Sequence, residues 1–194
     1  MRITGGIAAG RTLKVPKGFD VRPTPNIVRH AVFNSLGERI IGARILELFA
    51  GTGALSLESL SRGASHVVCV ELSRRHADVL RQNFAAAKIT GGELEVRVQD
   101  AFIAIAQLVA ASARFDLILA DPPYGEKNLG RRSTSFAQQL LDDSHLPGLL
   151  SPAGILVLGH TRRDSLSVPE IWQEIKALRH GDTVMRFLKT RTPS

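Results

Sequence analysis

Asp121-Pro122-Pro123-Tyr124 brings together an acceptor carboxylate, two residues with no amide hydrogen and an aromatic ring. That combination suits one kind of chemistry. An exocyclic amine on an aromatic ring is a poor nucleophile, because its lone pair is delocalised into the ring. A carboxylate accepting one N–H and a backbone carbonyl accepting the other would polarise and aim the nitrogen. The prolines stiffen the turn and leave carbonyls free to accept. Tyr124 can stack on a base. Such catalysis is mainly positioning. Asp121 need not remove a proton before transfer, because the alkylated amine becomes acidic and loses one afterwards. The other reading is a rigid strand-to-loop turn without chemistry, and the upstream residues bear on that choice.

Gly51-Thr52-Gly53 supplies the backbone freedom that a tight strand-to-helix turn needs beside a ligand. Glu71, placed to end a second strand, can accept from both hydroxyls of a ribose. This serves dinucleotides and S-adenosylmethionine alike. The turn favours the latter: Ser56 stands where the dinucleotide pattern has its third glycine, and Glu47 adds an acid just before the turn. An acid near a sulfonium and an ammonium is chemically sensible; the competing reading for Glu47 is a buried carboxyl bonded to backbone amides. Asp100 can accept from an adenine amino group, cap the following helix, or do both. Phe102 or Leu72 can pack on the ring. Gly125 to Ser133 contains Lys127, Arg131 and Arg132, which reads as a lid over phosphates or as a solvated loop.

The elements that must position these residues alternate. Apolar runs at 45–49, 66–71, 94–98, 115–120 and 154–159 read as strands, and helical spacing appears at 54–61, 74–87, 101–111 and 138–150. Ile27 to Leu36 gives a further helix, with Thr24 as its cap and Pro25 at its first position. Residues 1–20 read as irregular or short-stranded. Residues 171–178 fit helix or strand, and 183–188 a terminal strand. Strands alternating with helices imply a parallel sheet covered on both faces, with ligands at the carboxyl ends of the strands. Gly51, Gly53, Glu71, Asp100, Asp121 and Arg162-Arg163 all fall at those ends.

Charge is uneven. Residues 1–44 hold eight lysines and arginines against Asp20 and Glu38, +6 of the formal +7. A basic arm on a neutral body points to a polyanion. The single cysteine, Cys69, lies in an apolar run and forms no internal disulfide; six scattered histidines give no zinc spacing, so no metal is expected. No run of 18 apolar residues occurs, and Met1 to Gly5 has no signal-peptide core, so no membrane contact and a cytoplasmic location are expected.

The chain resembles the RsmD-type small-subunit rRNA guanine-N2 methyltransferases over essentially its whole length. The resemblance rests on Arg2-Ile3-Thr4-Gly5-Gly6 with Gly10-Arg11 and Leu13, on Arg22-Pro23-Thr24, and on Val28-Arg29 with Phe33-Asn34. It continues in Glu47 to Leu55, Glu58 to Ala64, Glu71 and Asp121 to Tyr124. It implies a Rossmann-like class I methyltransferase, an α/β fold with a seven-stranded, mostly parallel sheet whose last strand is antiparallel. Residues 1–43 would be a basic RNA-contacting extension and 44–194 the methyltransferase domain. The cofactor would be S-adenosylmethionine, held by Arg22, Thr24, Glu47, Phe49, Ala50, Gly51, Gly53, Leu55, Glu71, Leu72, Asp100, Ala101 and Phe102. The chemistry would fall to Asp121, Pro122, Pro123 and Tyr124. The RNA contacts would be Arg2, Arg11, Lys14, Arg29, Lys127, Arg131 and Arg132. The partner would be 16S rRNA or a small-subunit assembly particle, met by a monomer. One departure is His30, where the family pattern has an acid after the arginine, so the partner of Arg29 is left open.

Other readings stand beside this one. The same motif suits adenine N6 in DNA, although 194 residues leave little room for a target-recognition domain. Protein-glutamine methyltransferases have Asn at the Asp121 position. Ser56 disfavours a nicotinamide-dependent oxidoreductase. A non-catalytic RNA-binding assembly factor would have no need of intact Gly51, Gly53, Glu71 and Asp121.

Overall fold

The computed structural model describes residues 1–15, 24–124 and 132–191. The helices are α1 (Asn26–Leu36), α2 (Ala54–Ser61), α3 (Arg74–Ala87), α4 (Ala101–Ala110) and α5 (Phe136–Asp142). The strands are β1 (Arg44–Leu48), β2 (His66–Glu71), β3 (Glu93–Val98), β4 (Phe115–Ala120), β5 (Leu150–Thr161), β6 (Trp172–His180) and β7 (Thr183–Thr190). They form one seven-stranded sheet in the order β3-β2-β1-β4-β5-β7-β6. β1 to β5 pair in parallel, and β7 runs antiparallel between β5 and β6.

The central strands are apolar on both faces because both faces are covered. Leu46, Leu48, Ile118 and Leu156 pack with α4 and α5 on one side. Ile45, Leu117, Val157 and Phe187 pack with α1, α2 and α3 on the other. Chain order reverses between β1 and β4, so the crevice at their carboxyl ends is where a ligand belongs.

The reading of 138–150 as one helix is corrected. α5 stops at Asp142, because Asp143 Oδ1 accepts from the amides of His145 and Leu146 and turns the chain. Pro147 and Gly148 then allow only a 3-10 turn, Leu146–Leu149, before β5. Residues left open between helix and strand form edge strand β6. Thr24 does not cap α1: Pro25 occupies the cap position with no side-chain bond, and the Thr24 hydroxyl points elsewhere.

The N-terminal residues are tied down rather than loose. Arg2 and Thr12 form an antiparallel bridge. Ile3, Ala8 and Leu13 pack on Leu57 of α2 and Ala87 of α3. Thr4 donates from both its amide and its hydroxyl to Glu58.

Candidate active site

β1 ends in a strained turn. Phe49 has φ +58°, rare outside glycine, and Gly51 follows at φ +55°. The Gly51 amide donates to Glu71 Oε2 at 2.7 Å, and the Ser73 amide donates to Glu71 Oε1 at 2.8 Å. Glu71 therefore fastens the turn after β1 to the turn after β2, and Oε2 keeps room for a second donor. His76 Nδ1 stands 3.3 Å from Glu71 Oε1. At Gly53, φ is +83° and a β-carbon would lie 2.7 Å from Leu80, so the position excludes side chains twice over.

A cavity of about 240 Å³ opens between these turns. Of the residues expected to hold a cofactor, Phe49, Gly51, Glu71, Leu72, Asp100 and Ala101 line it, together with Asp121 and Pro123 of the proposed chemical motif. Asp100 Oδ1 caps α4 by accepting from the amides of Phe102 and Ile103, while the residue still faces the cavity. Phe102 backs the wall: its ring meets Phe49 edge-on with centroids 6.4 Å apart, and Phe136 completes a three-ring cluster.

Five expected cofactor residues lie elsewhere, and one of them, Thr24, turns its hydroxyl to Asp121 instead. Ala50, Gly53 and Leu55 are buried and shape the turn from behind. Glu47 is 2% exposed and does not line the cavity. One of its oxygens accepts from the Ser56 amide at 3.0 Å and from the Ser56 hydroxyl. Burial pushes Glu47 up to about 8 against those hydrogen bonds, and Glu71 and Asp121 push it further. Burial thus favours the protonated form of Glu47, and its hydrogen bonds turn it toward Ser56 rather than the cavity. Ser56, which broke the dinucleotide pattern, is its partner. Arg22 lies outside the described residues, as do Lys127 and Arg131.

Sequence reasoning missed Val70, Ser73, His76, Gln99 and Phe136 as cavity residues. Ser73 and His76 had a signal, since they follow the Glu71 turn. Phe136 had none, because only the packing of α5 brings it to Phe49.

Asp121 sits at the end of β4, where Ala120 pairs with Leu158 of β5. Its carboxyl is buried although the residue keeps some exposure. Oδ2 accepts from the Thr24 hydroxyl at 2.5 Å, and Oδ1 has no partner among the described residues. Burial raises its pKa from 3.8 to about 6, opposed by the Thr24 hydrogen bond. Pro122 is buried, Pro123 and Tyr124 are exposed, and the Tyr124 hydroxyl lies 3.2 Å from Thr183 Oγ1.

Gly159 of β5 was not foreseen. A β-carbon there would lie 2.2 Å from Asp121 Oδ1 and 3.1 Å from Met185 Sδ. The missing side chain is what lets the carboxyl occupy its place. Gly159→Ala is expected to displace it and lower kcat by about 10²-fold. Cofactor affinity should be nearly kept, because the Glu71 turns are untouched. Single-turnover rates set beside calorimetric cofactor binding check this; an unchanged kcat would show that Asp121 tolerates the displacement.

Arg29 is corrected as an RNA contact. It is fully buried, its Nε 3.3 Å from Glu58 Oε2, and it also donates to the backbone carbonyls of Thr24 and Arg2. Glu58 is the partner that the sequence left open. Arg2, Arg11, Lys14 and Arg132 are exposed, and Arg132 pairs with Asp142. Asn83 of α3 joins the Lys14 backbone to the Thr52 carbonyl, which sets the arm beside the glycine turn.

The sheet order, the reversed last strand and the cavity at the carboxyl ends define a class I methyltransferase fold. The chain belongs to the family described as Conserved hypothetical protein 95, whose profile matches residues 1–189, and so to the RsmD-type methyltransferases. It is 31% identical over 176 residues to Ribosomal RNA small subunit methyltransferase D of Haemophilus influenzae, covering 91% of this chain and 86% of that one. The protein of the same name from Escherichia coli K12 is 37% identical over 124 residues, 64% of this chain and 60% of the relative. Among solved structures, the yhhF protein of Escherichia coli superposes with a TM-score of 0.77 at 30% identity, over 100% of this chain and 99% of that one.

Proposed function

We propose that the chain transfers a methyl group from S-adenosylmethionine to the exocyclic N2 of a guanine in 16S rRNA, during small-subunit assembly. The observation that carries this reading is Asp121: it lines the cavity, Thr24 holds one of its oxygens, the other is a buried acceptor without a partner among the described residues, and Pro122-Pro123 and an exposed Tyr124 follow it in the chain.

The cavity fits the cofactor. Its aromatic wall suits an adenine ring and the Glu71 carboxylate suits ribose hydroxyls. Two buried polar atoms among its lining residues lack partners, Gln99 Nε2 and Asp121 Oδ1, a donor and an acceptor that a ligand or substrate would satisfy. Bound there, S-adenosylmethionine supplies an electrophilic methyl group. The protein does the rest by placement. Asp121 Oδ1 accepts one amine hydrogen, a backbone carbonyl of the proline pair accepts the other, and the Tyr124 ring stacks on the base. Thr24 keeps the carboxylate from rotating. Exposed Arg2, Arg11 and Lys14 offer cations for RNA phosphates, with Lys14 beside the glycine turn. Relatives named as rRNA small-subunit methyltransferases support the choice of RNA; guanine N2 comes from the family resemblance.

The test is transfer of a labelled methyl group from S-adenosylmethionine to small-subunit particles or 16S rRNA lacking the modification. Stoichiometric labelling of the RNA is expected. Label in protein only, or none in either substrate, would contradict the reading.

A further inference from the structure

β5, β6 and β7 converge at the sheet edge that carries Asp121. β5 ends at Thr161, β6 ends at His180 and β7 begins at Thr183. Two contacts tie this corner to the catalytic motif: the Tyr124 hydroxyl reaches Thr183, and Gly159 lies against the Asp121 carboxyl. Next to it is a cleft of about 510 Å³, whose lining includes His160, Arg162, Asp164, Arg179 and Arg186.

The cleft is cationic where the central body is not. Residues 160–191 hold seven lysines and arginines against four acids, while residues 45–159 hold ten against twelve. Arg162 and Arg179 are exposed and have no ion pair among the described residues. Arg186 is fixed in place. Its Nε donates to His160 Nε2 at 3.0 Å, and its Nη1 pairs with Glu174. His160 Nδ1 stands 2.8 Å from the Thr161 carbonyl, so the proton sits on Nδ1 and Nε2 accepts. Arg186 Nη2 has no partner among the described residues. The acid in the lining, Asp164, is 2% exposed and pairs with none of the arginines.

Exposed, unpaired guanidinium groups around a pre-oriented third are a phosphate-binding arrangement. A base held at Asp121 and Tyr124 brings its neighbouring phosphates to this corner. We propose that this cleft binds the sugar–phosphate backbone of the RNA strand flanking the target base, with Arg162, Arg179 and Arg186 on its phosphates. The inference rests on the RNA methyltransferase reading above. It adds a second RNA contact, from the opposite end of the chain to the N-terminal arm, so that the target nucleotide is gripped from both sides.

The test compares the unaltered chain, Arg162→Ala/Arg179→Ala and the charge-preserving Arg162→Lys/Arg179→Lys. Each is titrated with 16S rRNA at rising KCl and assayed on small-subunit particles. The alanine pair should bind about tenfold more weakly, and its plot of log affinity against log salt should be shallower by about one to two. KM should rise with kcat and S-adenosylhomocysteine affinity nearly unchanged, and the lysine pair should recover most of the loss. Unchanged affinity, slope and KM in the alanine pair, while the unaltered chain methylates rRNA, overturns this inference alone. So does a defect that the lysine pair shares in full, or one confined to kcat. Failure of the unaltered chain to methylate any rRNA overturns the functional reading, and this inference falls with it.

Discussion

Asp121→Ala is expected to lower methyl transfer by about 10²- to 10⁴-fold, leaving a folded chain whose cofactor turn, built on Glu71, is intact. The pH dependence gives a second handle. The amine needs an ionised acceptor, and burial has raised Asp121 to about 6. The rate should therefore climb as pH passes about 6 and level off above it. Stability runs the opposite way. A carboxyl whose folded pKa is raised favours the folded state while protonated. That contribution is full below the unfolded value near 3.8 and is lost as pH rises through about 6. Asp121→Asn removes the titration, so the variant should lack the pH 6 limb in its rate profile and melt at a higher temperature than the unaltered chain at pH 7 to 8. Turnover and melting temperature measured from pH 5 to 8 check both signs. Unchanged turnover in Asp121→Ala would remove the residue from the mechanism.

Arg29→Met is expected to cost about 3–5 kcal/mol of folding stability, because it takes from Glu58 its fully buried cation, leaving only the part-exposed Arg62, and strips the Thr24 and Arg2 carbonyls of their donor. For a chain of this size that is a fall in melting temperature of roughly 6–20 °C. The partners explain why the loss is not local. Arg29 and Glu58 are both fully buried, and burial pushes Arg29 below the ordinary arginine value while Glu58 pulls it back. Glu58 also takes the Thr4 amide and hydroxyl and the Arg62 guanidinium, and Arg29 holds the carbonyls of Arg2 and Thr24. One ion pair thus fastens the N-terminal segment, α1 and α2 together, and it positions the residue that clamps Asp121. Urea titration gives the stability change, and amide exchange at residues 2–5 should rise with it. A loss under about 1 kcal/mol would place the pair among ordinary surface bridges.

Much of this was legible beforehand, for physical reasons. Parallel strands buried on both faces must be continuous apolar runs, and β1, β2, β4 and β5 are. The polar residues that interrupt such a chain collect at strand ends, which is how Gly51, Glu71, Asp100 and Asp121 identified one edge. Edge strand β6 was ambiguous because most of its residues are exposed, so no alternation of buried and solvent positions marks it, and a bulge shifts the register between Glu174 and Lys176. The helix over 138–150 was overextended because apolar spacing was weighed above Asp143, Pro147 and Gly148. Arg29 was misassigned because sequence displays charge without displaying burial. Glu47 carried two readings for the same reason, since an acid beside a glycine turn reads identically whether it faces the cavity or Ser56. Gly159 and Phe136 carried no signal, because their roles exist only once β5 pairs with β4 and α5 packs against the turn after β1.

The most direct test of the central claim is to methylate 16S rRNA or small-subunit particles with this chain, digest the RNA to nucleosides and identify the product by mass spectrometry. N2-methylguanosine is expected, and it should be absent when Asp121→Ala replaces the unaltered chain. N6-methyladenosine would contradict that claim, by showing that the same carboxylate, carbonyl and tyrosine serve a different base.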